Sequence, residues 1–210
     1  MIISASRRTD IPTYYSEWFF NRILEGFVYV RNPMNIHQIS KISLLPEIVD
    51  GIVFWTKNPV PMLDRLSELE RYVYYFQFTL NSYGKDIEPN VPSKKEVIVP
   101  AFQKLSQMIG KDKVIWRSDP ILINDKYTLD YHIKFFESLA LKLSGYTEKC
   151  TISFIDLYKN TQRNTAPLNI QAPTDEQIEI LMSELSRIAK DNGILIDTCS
   201  ERIDLETYGI

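Results

Sequence analysis

A chain of 210 residues, 44% hydrophobic, is long enough to bury a full-sized core as one (β/α) barrel-like domain spanning 1–210. A net charge of -3 argues against a protein built to coat nucleic acid, and two cysteines are too few for a disulfide framework or a cysteine metal site. The start shows no basic segment followed by an apolar one, and no apolar run reaches membrane-span length, so a cytoplasmic protein with no membrane partner is the expectation.

Met1-Ile2-Ile3 opens as a short strand, and Ser4-Ala5-Ser6-Arg7-Arg8-Thr9-Asp10-Ile11-Pro12 follows where that strand gives way to a helix. Helical periodicity through Tyr15, Trp18, Phe19, Arg22 and Ile23 predicts a helix from Pro12 to a stop at Gly26. Phe27 to Arg31 and Ile39 to Leu44 read as an inserted β-hairpin around Asn32-Pro33-Met34-Asn35. Gly51 to Thr56 is an apolar strand, with a short helix from Met62 to Leu69. Val73 to Leu80 alternates, placing Tyr75, Gln77 and Thr79 on one face and Phe76, Phe78 and Leu80 on the other. A loop with Gly84 and Pro89 leads to a helix ending at Gly110, where Pro100 requires a kink or a start later than Ser93. Val114 to Asp119 is a strand. Thr128 N-caps an amphipathic helix to Ser144. Cys150 to Asp156 is a strand, and Asn160 to Pro173 a polar loop. A capping box at Thr174 to Gln177 begins a helix to Asn192, and Ile194 to Thr198 is the last strand. Strands alternating with helices in this way predict an α/β fold. The expectation is a TIM-like (β/α) barrel or partial barrel of about six parallel strands with an inserted β-hairpin; a doubly wound open sheet is the alternative, and strand order separates the two.

In parallel α/β folds, ligands gather at the carboxyl ends of the strands. The polar residues closing each strand here are Arg7, Arg8, Thr9 and Asp10; Thr56, Lys57 and Asn58; Gln77, Thr79 and Asn81; Arg117, Ser118 and Asp119; Ser153 and Asp156; and Asp197, Thr198 and Glu201. They form the candidate substrate or anion site. Arg7, Arg8, Lys57 and Arg117 suit a phosphate or carboxylate, because guanidinium forks give directional contacts. Asp10, Asp119 and Asp156 suit charge balance, hydroxyl binding or acid–base work. The plainer alternative is that Arg–Asp pairs at strand ends are structural bridges. Trp55 and Trp116 read as sandwiched between sheet and helix. Gln77 and Thr79 face away from the helix-packing phenylalanines, and buried polar groups need partners, which favours a ligand.

Other chemistries find less support. His37 and His132 lack metal-ligand spacing and read as surface or packing residues, with His37 in the hairpin and His132 in a helix. There is no Gly-rich phosphate loop and no nucleophile elbow. Cys199 follows a strand end, where it could face the mouth, but a small packed thiol is the plainer reading. No residue points to a nucleic-acid partner or fixes an oligomeric state, leaving a small-molecule or nucleotide ligand as the expected partner.

The segments SASRRTDIP (Ser4 to Pro12), IVFWTKNP (Ile52 to Pro59), YFQFTL (Tyr75 to Leu80), GKDIEP (Gly84 to Pro89), IWRSDPI (Ile115 to Ile121) and LSGYTEKC (Leu143 to Cys150) resemble, in order and along the whole chain, a bacterial family catalogued as domain of unknown function family 1848. Its longer members resemble radical S-adenosylmethionine enzymes, with a C-x-x-x-C-x-x-C motif near the C-terminus of the kind that holds a four-iron four-sulfur cluster. The resemblance therefore implies S-adenosylmethionine and such a cluster for the longer relatives. In ordinary radical enzymes the cluster motif follows the first strand, where this chain has Arg7-Arg8-Thr9-Asp10. The sequence stops at Ile210 without the motif, and two distant cysteines fall short of the three thiolates a cluster requires. This chain alone is expected to carry no cofactor of that kind and to be inactive in reductive cleavage.

Two readings follow. One is the barrel of a radical S-adenosylmethionine-like enzyme of unknown substrate, with Ile203 to Tyr208 leaving the last strand on the mouth side towards the missing tail. The other is a non-radical (β/α) barrel that binds an anionic small molecule or nucleotide at the strand ends.

Overall fold

The computed structural model describes residues 1–6, 8–157, 163, 165–199 and 206–208. Its strands are β1 (Ile2–Ala5), β2 (Phe27–Arg31), β3 (Ile39–Ser43), β4 (Gly51–Thr56), β5 (Tyr74–Thr79), β6 (Val114–Ile121), β7 (Lys149–Phe154) and β8 (Leu195–Thr198). Six make a parallel sheet in the order β1-β4-β5-β6-β7-β8, and β2 pairs with β3 as a separate antiparallel hairpin. The order runs with the sequence and never reverses, so the doubly wound alternative is excluded. The sheet ends at β1 and β8 and does not close among the described residues. No helix of the described residues is long and apolar enough to cross a membrane. The chain divides into two compact units, Met1–Phe78 and Thr79–Ile210.

In the first unit, the single helix expected from Pro12 to Gly26 is two: α1 (Ile11–Tyr14) and α2 (Ser16–Glu25). Tyr15 breaks it, with φ -136° and ψ 24°. Periodicity continues across the break, but α1 is anchored separately. Thr13 Oγ1 donates to the Asn58 carbonyl at 2.9 Å, tying this one turn to the end of β4. Gly26 closes α2 at φ +75°, the left-handed conformation glycine adopts freely. The short helix expected from Met62 is α3 (Val60–Leu63) followed by a 3-10 turn, Leu66–Leu69. Phe54 of β4 stacks on Phe76 of β5 with ring centroids 4.8 Å apart, and Phe19 of α2 meets Phe54 edge-on at 5.2 Å. Each such ring contributes about 1.5–3 kcal/mol by leaving water. The helix-facing side of this sheet is therefore set by Phe54, Phe76 and the register that aligns them.

In the second unit, the Pro100 conflict is resolved by a wide turn. Lys94–Ile98 is a π-helix, with the Val97 and Ile98 N–H groups both donating to Ser93 O. Helix α4 (Val99–Ile109) then starts with Pro100 in its first turn, where a missing N–H costs nothing. Thr128 caps α5 (Leu129–Leu143), and the Thr174–Gln177 capping box starts α6 (Asp175–Asp191). The indole of Trp116 stacks on Phe136 of α5 at 4.7 Å, as expected of a ring between sheet and helix. Ser118 lies on the same face of β6 as Trp116, beside His132, Phe136 and Leu139 of α5 and Leu185 of α6. Both helices thus cover one side of β6–β8. His132 is a packing residue, buried, with Nε2 2.8 Å from Leu122 O.

Three boundaries differ from expectation. β6 continues through a cis Asp119–Pro120 bond to Ile121, because its register with β7 shifts between Ser118 and Ile121 and lets the strand resume. β7 stops at Phe154, leaving Asp156 beyond its end and exposed. Within the expected polar loop from Asn160 to Pro173, Ala166–Leu168 forms a 3-10 turn and Gln171 bridges to Ile123.

Of the expected exit segment, Ile203 to Leu205 lie outside the described residues. Tyr208 lines one cavity with Ser186 and Lys190 of α6 and with Gly193 and Ile194. That is the start of β8 rather than its carboxyl end, because the contact it finds is the side of α6.

Candidate functional site

At the carboxyl ends of β1 and β4 in the first unit, the loop turns sharply at Ser6, whose φ of +130° is rare for any residue but glycine. Such a backbone costs about 1–3 kcal/mol. The Ser6 hydroxyl accepts from Ile11 N at 3.3 Å. Arg7 and Glu201 lie outside the described residues, so the site expected to join Arg7 with Arg117 rests on an undescribed partner. Arg8 is exposed and donates through Nη2 to the Arg31 carbonyl at 3.0 Å, on the hairpin; Thr9 is exposed beside it.

Asp10 corrects its expected role. One carboxylate oxygen accepts from Thr13 N at 2.9 Å as the N-cap of α1, and the other accepts from Lys57 N at 2.8 Å. Both oxygens are committed to backbone donors, so Asp10 is a brace between two strand-end loops rather than an acid or base. Thr56 Oγ1 sits 3.3 Å from Thr13 Oγ1 and accepts from Asn58 N at 3.0 Å, and Asn58 Oδ1 accepts from Val60 N. Thr56, Asn58 and the Lys57 backbone belong to the same brace. Asp10→Ala is expected to lower unfolding free energy by about 1–2 kcal/mol in urea titration, the usual cost of a lost cap, with Asp10→Asn milder.

The opposite face of this sheet carries Val53, Trp55, Tyr75, Gln77 and Thr79. Trp55 lies in register with Gln77, and Val53 with Tyr75. Gln77 and Thr79 take the expected face, away from Phe76 and Phe78, which are fully buried. Trp55 does not sit between sheet and helix as expected, because Phe54 holds that side; Trp55 is half-buried on the polar face beside Gln77.

The second unit presents a stronger constellation. Arg117 of β6, Thr151 of β7 and Asp197 of β8 are register partners and form one row across three strands. The row lies opposite Trp116, Cys150 and Ile196, the side covered by α5 and α6. Adjacent strands lie about 4.8 Å apart, so the side chains are immediate neighbours. Arg117 and Thr151 are buried. The Arg117 guanidinium donates from Nε to Asp119 Oδ2 at 3.0 Å, and Nη2 closes the fork on the same oxygen. Burial opposes its charge, but the Asp119 carboxylate and the Cys199 thiol outweigh this and hold its pKa above the usual value. Lys149 pairs with Asp197 along the same face. Asp197 Oδ1 is buried and finds no donor among the described residues. Ser153 is half-buried on the same side of β7, two residues beyond Thr151.

Arg117, Asp119, Asp197 and Ser153 thus share a face of this unit, and Asp156 stands past the strand end. Lys149 and Thr151 were missed. Lys149-Cys150-Thr151-Ile152-Ser153 alternates polar with apolar, and that pattern already marked Lys149 and Thr151 as companions of Ser153. Cys199 is exposed rather than packed, because β8 ends at Thr198 and the next residue projects beyond the sheet. Cys150 is fully buried on the helix side, where burial drives its thiol pKa well up.

The face therefore holds a buried cation at Arg117 and, at Asp197 Oδ1, a buried acceptor with no donor among the described residues. Among the described residues no three His, Cys, Asp or Glu side chains gather as a metal site. Cys150 and Cys199 lie on opposite faces of the sheet, so the pair does not fit an iron–sulfur cluster.

The family model described as Domain of unknown function (DUF1848) matches residues 2–210. No curated protein and no solved structure matches the chain.

Proposed function

We propose that this chain, which belongs to the DUF1848 family, binds a small polar ligand on the helix-free face of β6–β8, as the inner face of an incomplete (β/α) barrel. The observation that carries this reading is the buried Asp197 Oδ1, which finds no donor among the described residues, in one row with the buried Arg117. An acceptor stripped of water without a partner costs about 1–3 kcal/mol, and a ligand hydroxyl or amino group recovers it. Arg117, held in place by Asp119, sets a buried positive charge in the row that favours a carboxylate or phosphate beside it. Thr151 lies between them with a hydroxyl able to donate or accept. The ligand class is an anionic small molecule or nucleotide.

The second reading is the barrel of a radical S-adenosylmethionine-type enzyme. It is favoured by the sequential, unreversed strand order together with the mixed charge of the row, since S-adenosylmethionine carries both a carboxylate and an ammonium group. The residues in this chain do not fit the cluster, and no redox step is assigned to them.

Calorimetric titration of the protein with inorganic phosphate, adenosine monophosphate and S-adenosylmethionine separates the readings. Saturable binding of at least one probe, weakened about tenfold or more by Asp197→Asn, is expected. Preference for S-adenosylmethionine selects the second reading, and preference for the phosphates selects the first. Binding indifferent to Asp197→Asn and Thr151→Val, or no binding, overturns the site.

A further inference from the structure

Among the described residues no strand pairs with the outer edge of β2 in the first unit's hairpin. Its register pairs Phe27 with Ser43, Tyr29 with Lys41 and Arg31 with Ile39. Two flanking bonds fix which residues bond inward: Leu44 N donates to Gly26 O at 2.8 Å, and Asn32 N to Gln38 O at 2.9 Å. Hydrogen-bonded pairs alternate along an antiparallel ladder, so Val28 and Val30 bond inward to Ile42 and Ser40. Phe27, Tyr29 and Arg31 therefore turn their N–H and C=O groups out, away from β3. The Arg8 contact agrees, because the Arg31 carbonyl it reaches is one of those outward groups.

This edge lacks the usual protection. Edge strands are normally shielded by charge, proline, bulges or a covering element. Here Phe27-Val28-Tyr29-Val30 is four consecutive residues of high strand propensity with no charge until Arg31. Tyr29 is 62% and Val30 43% exposed. A two-stranded ribbon alone is marginal in water, and a third strand strengthens it.

We infer that β2 pairs through this outer edge with β2 of a second copy of the chain, antiparallel, about a twofold axis at Tyr29. The strand is complementary to itself in that register. Tyr29 faces its own copy, Val28 faces Val30, and Phe27 faces Arg31, which places a guanidinium beside an aromatic ring at both ends. The outward backbone groups of Phe27, Tyr29 and Arg31 meet as hydrogen-bonded pairs. The Arg31 carbonyl keeps a second lone pair beside its Arg8 contact. The outer edge of β3 is a poorer partner, since the corresponding register sets Lys41 against Lys41, and like charges directly opposite are destabilising.

Analytical ultracentrifugation of the full chain tests this with two matched proline variants. Tyr29→Pro deletes an N–H that the hairpin's own ladder does not use and the dimer uses twice. Lys41→Pro deletes the equivalent outward N–H of β3. The expected result is a wild-type dimer, a folded Tyr29→Pro monomer with unchanged circular dichroism, and a Lys41→Pro dimer. If Tyr29→Pro fails to fold, cross-linking decides. Hydrogen-bonded antiparallel pairs have Cα atoms about 5.5 Å apart, within disulfide range. Tyr29→Cys in a Cys199→Ser chain should form an intermolecular disulfide under mild oxidation, and Lys41→Cys should not. A wild-type monomer at high concentration, a dimer insensitive to Tyr29→Pro, or cross-linking at Lys41 instead overturns the inference and leaves this edge to a strand of another protein.

Discussion

Trp116→Ala should lower the unfolding free energy of the second unit by about 3–5 kcal/mol, the range for deleting a large buried aromatic. The indole is fully buried, stacks on Phe136 at 4.7 Å, and donates from Nε1 to the Leu80 carbonyl at 2.9 Å. Truncation removes the transfer energy of the ring, leaves a cavity against α5, and strands a buried acceptor. Trp116→Phe separates these effects. It keeps most of the stacking and loses the donor, so it should cost about 1–3 kcal/mol. Urea titration followed by circular dichroism reads both, with Leu141→Ala on the exposed side of α5 as a near-neutral control. A Trp116→Ala cost under about 1 kcal/mol would mean that the sheet and α5 are not packed as described.

Arg117→Met should be nearly as damaging, by another route. The side chains of Arg117 and Asp119 are 7% and 16% exposed, and the fork between them is closed. Removing the cation leaves a largely buried carboxylate without its partner, a loss of about 3–5 kcal/mol, whereas replacing both members by apolar residues is often near neutral. Arg117→Met combined with Asp119→Leu is therefore expected to recover most of the stability lost by either alone. The double variant keeps the fold while removing the proposed anion fork. If the two single costs simply add, the pair is not coupled and Arg117 is not held for a ligand in the way described.

The strands and helix caps were legible wherever one local rule dominated. Thr128 and Thr174 announce their helices, and the alternation from Tyr75 to Leu80 separates a polar face from an apolar one without any knowledge of neighbours. Gly51-Ile52-Val53-Phe54-Trp55 gives no such alternation, being apolar on both faces, so the side taken by Trp55 is decided by pairing with β5. Asp10 was misread although its signal was present: an aspartate followed by Ile11-Pro12-Thr13 is an N-cap with proline in the first turn. What diverted the reading was the adjacent Arg7-Arg8, which invited a charge partner. The row Arg117–Thr151–Asp197 was half legible, its ends from strand-end polarity and its middle from alternation along β7. That Asp197 Oδ1 finds no donor among the described residues was not legible, because it depends on neighbours across two strands. The free edge of β2 emerges only from the hydrogen-bond phase of the hairpin, which two flanking turns fix.

Backbone amide chemical-shift mapping shows directly whether the helix-free face of β6–β8 binds a ligand. Nitrogen-15-labelled protein would be titrated with the tightest probe among phosphate, adenosine monophosphate and S-adenosylmethionine, beside the Arg117→Met/Asp119→Leu double variant. Saturable shifts are expected to concentrate at Arg117, Thr151, Asp197 and Cys199, to be absent from the helix side of the sheet and to be lost in the double variant. Shifts centred elsewhere, or shifts at these residues that persist in the double variant, would contradict binding on this face.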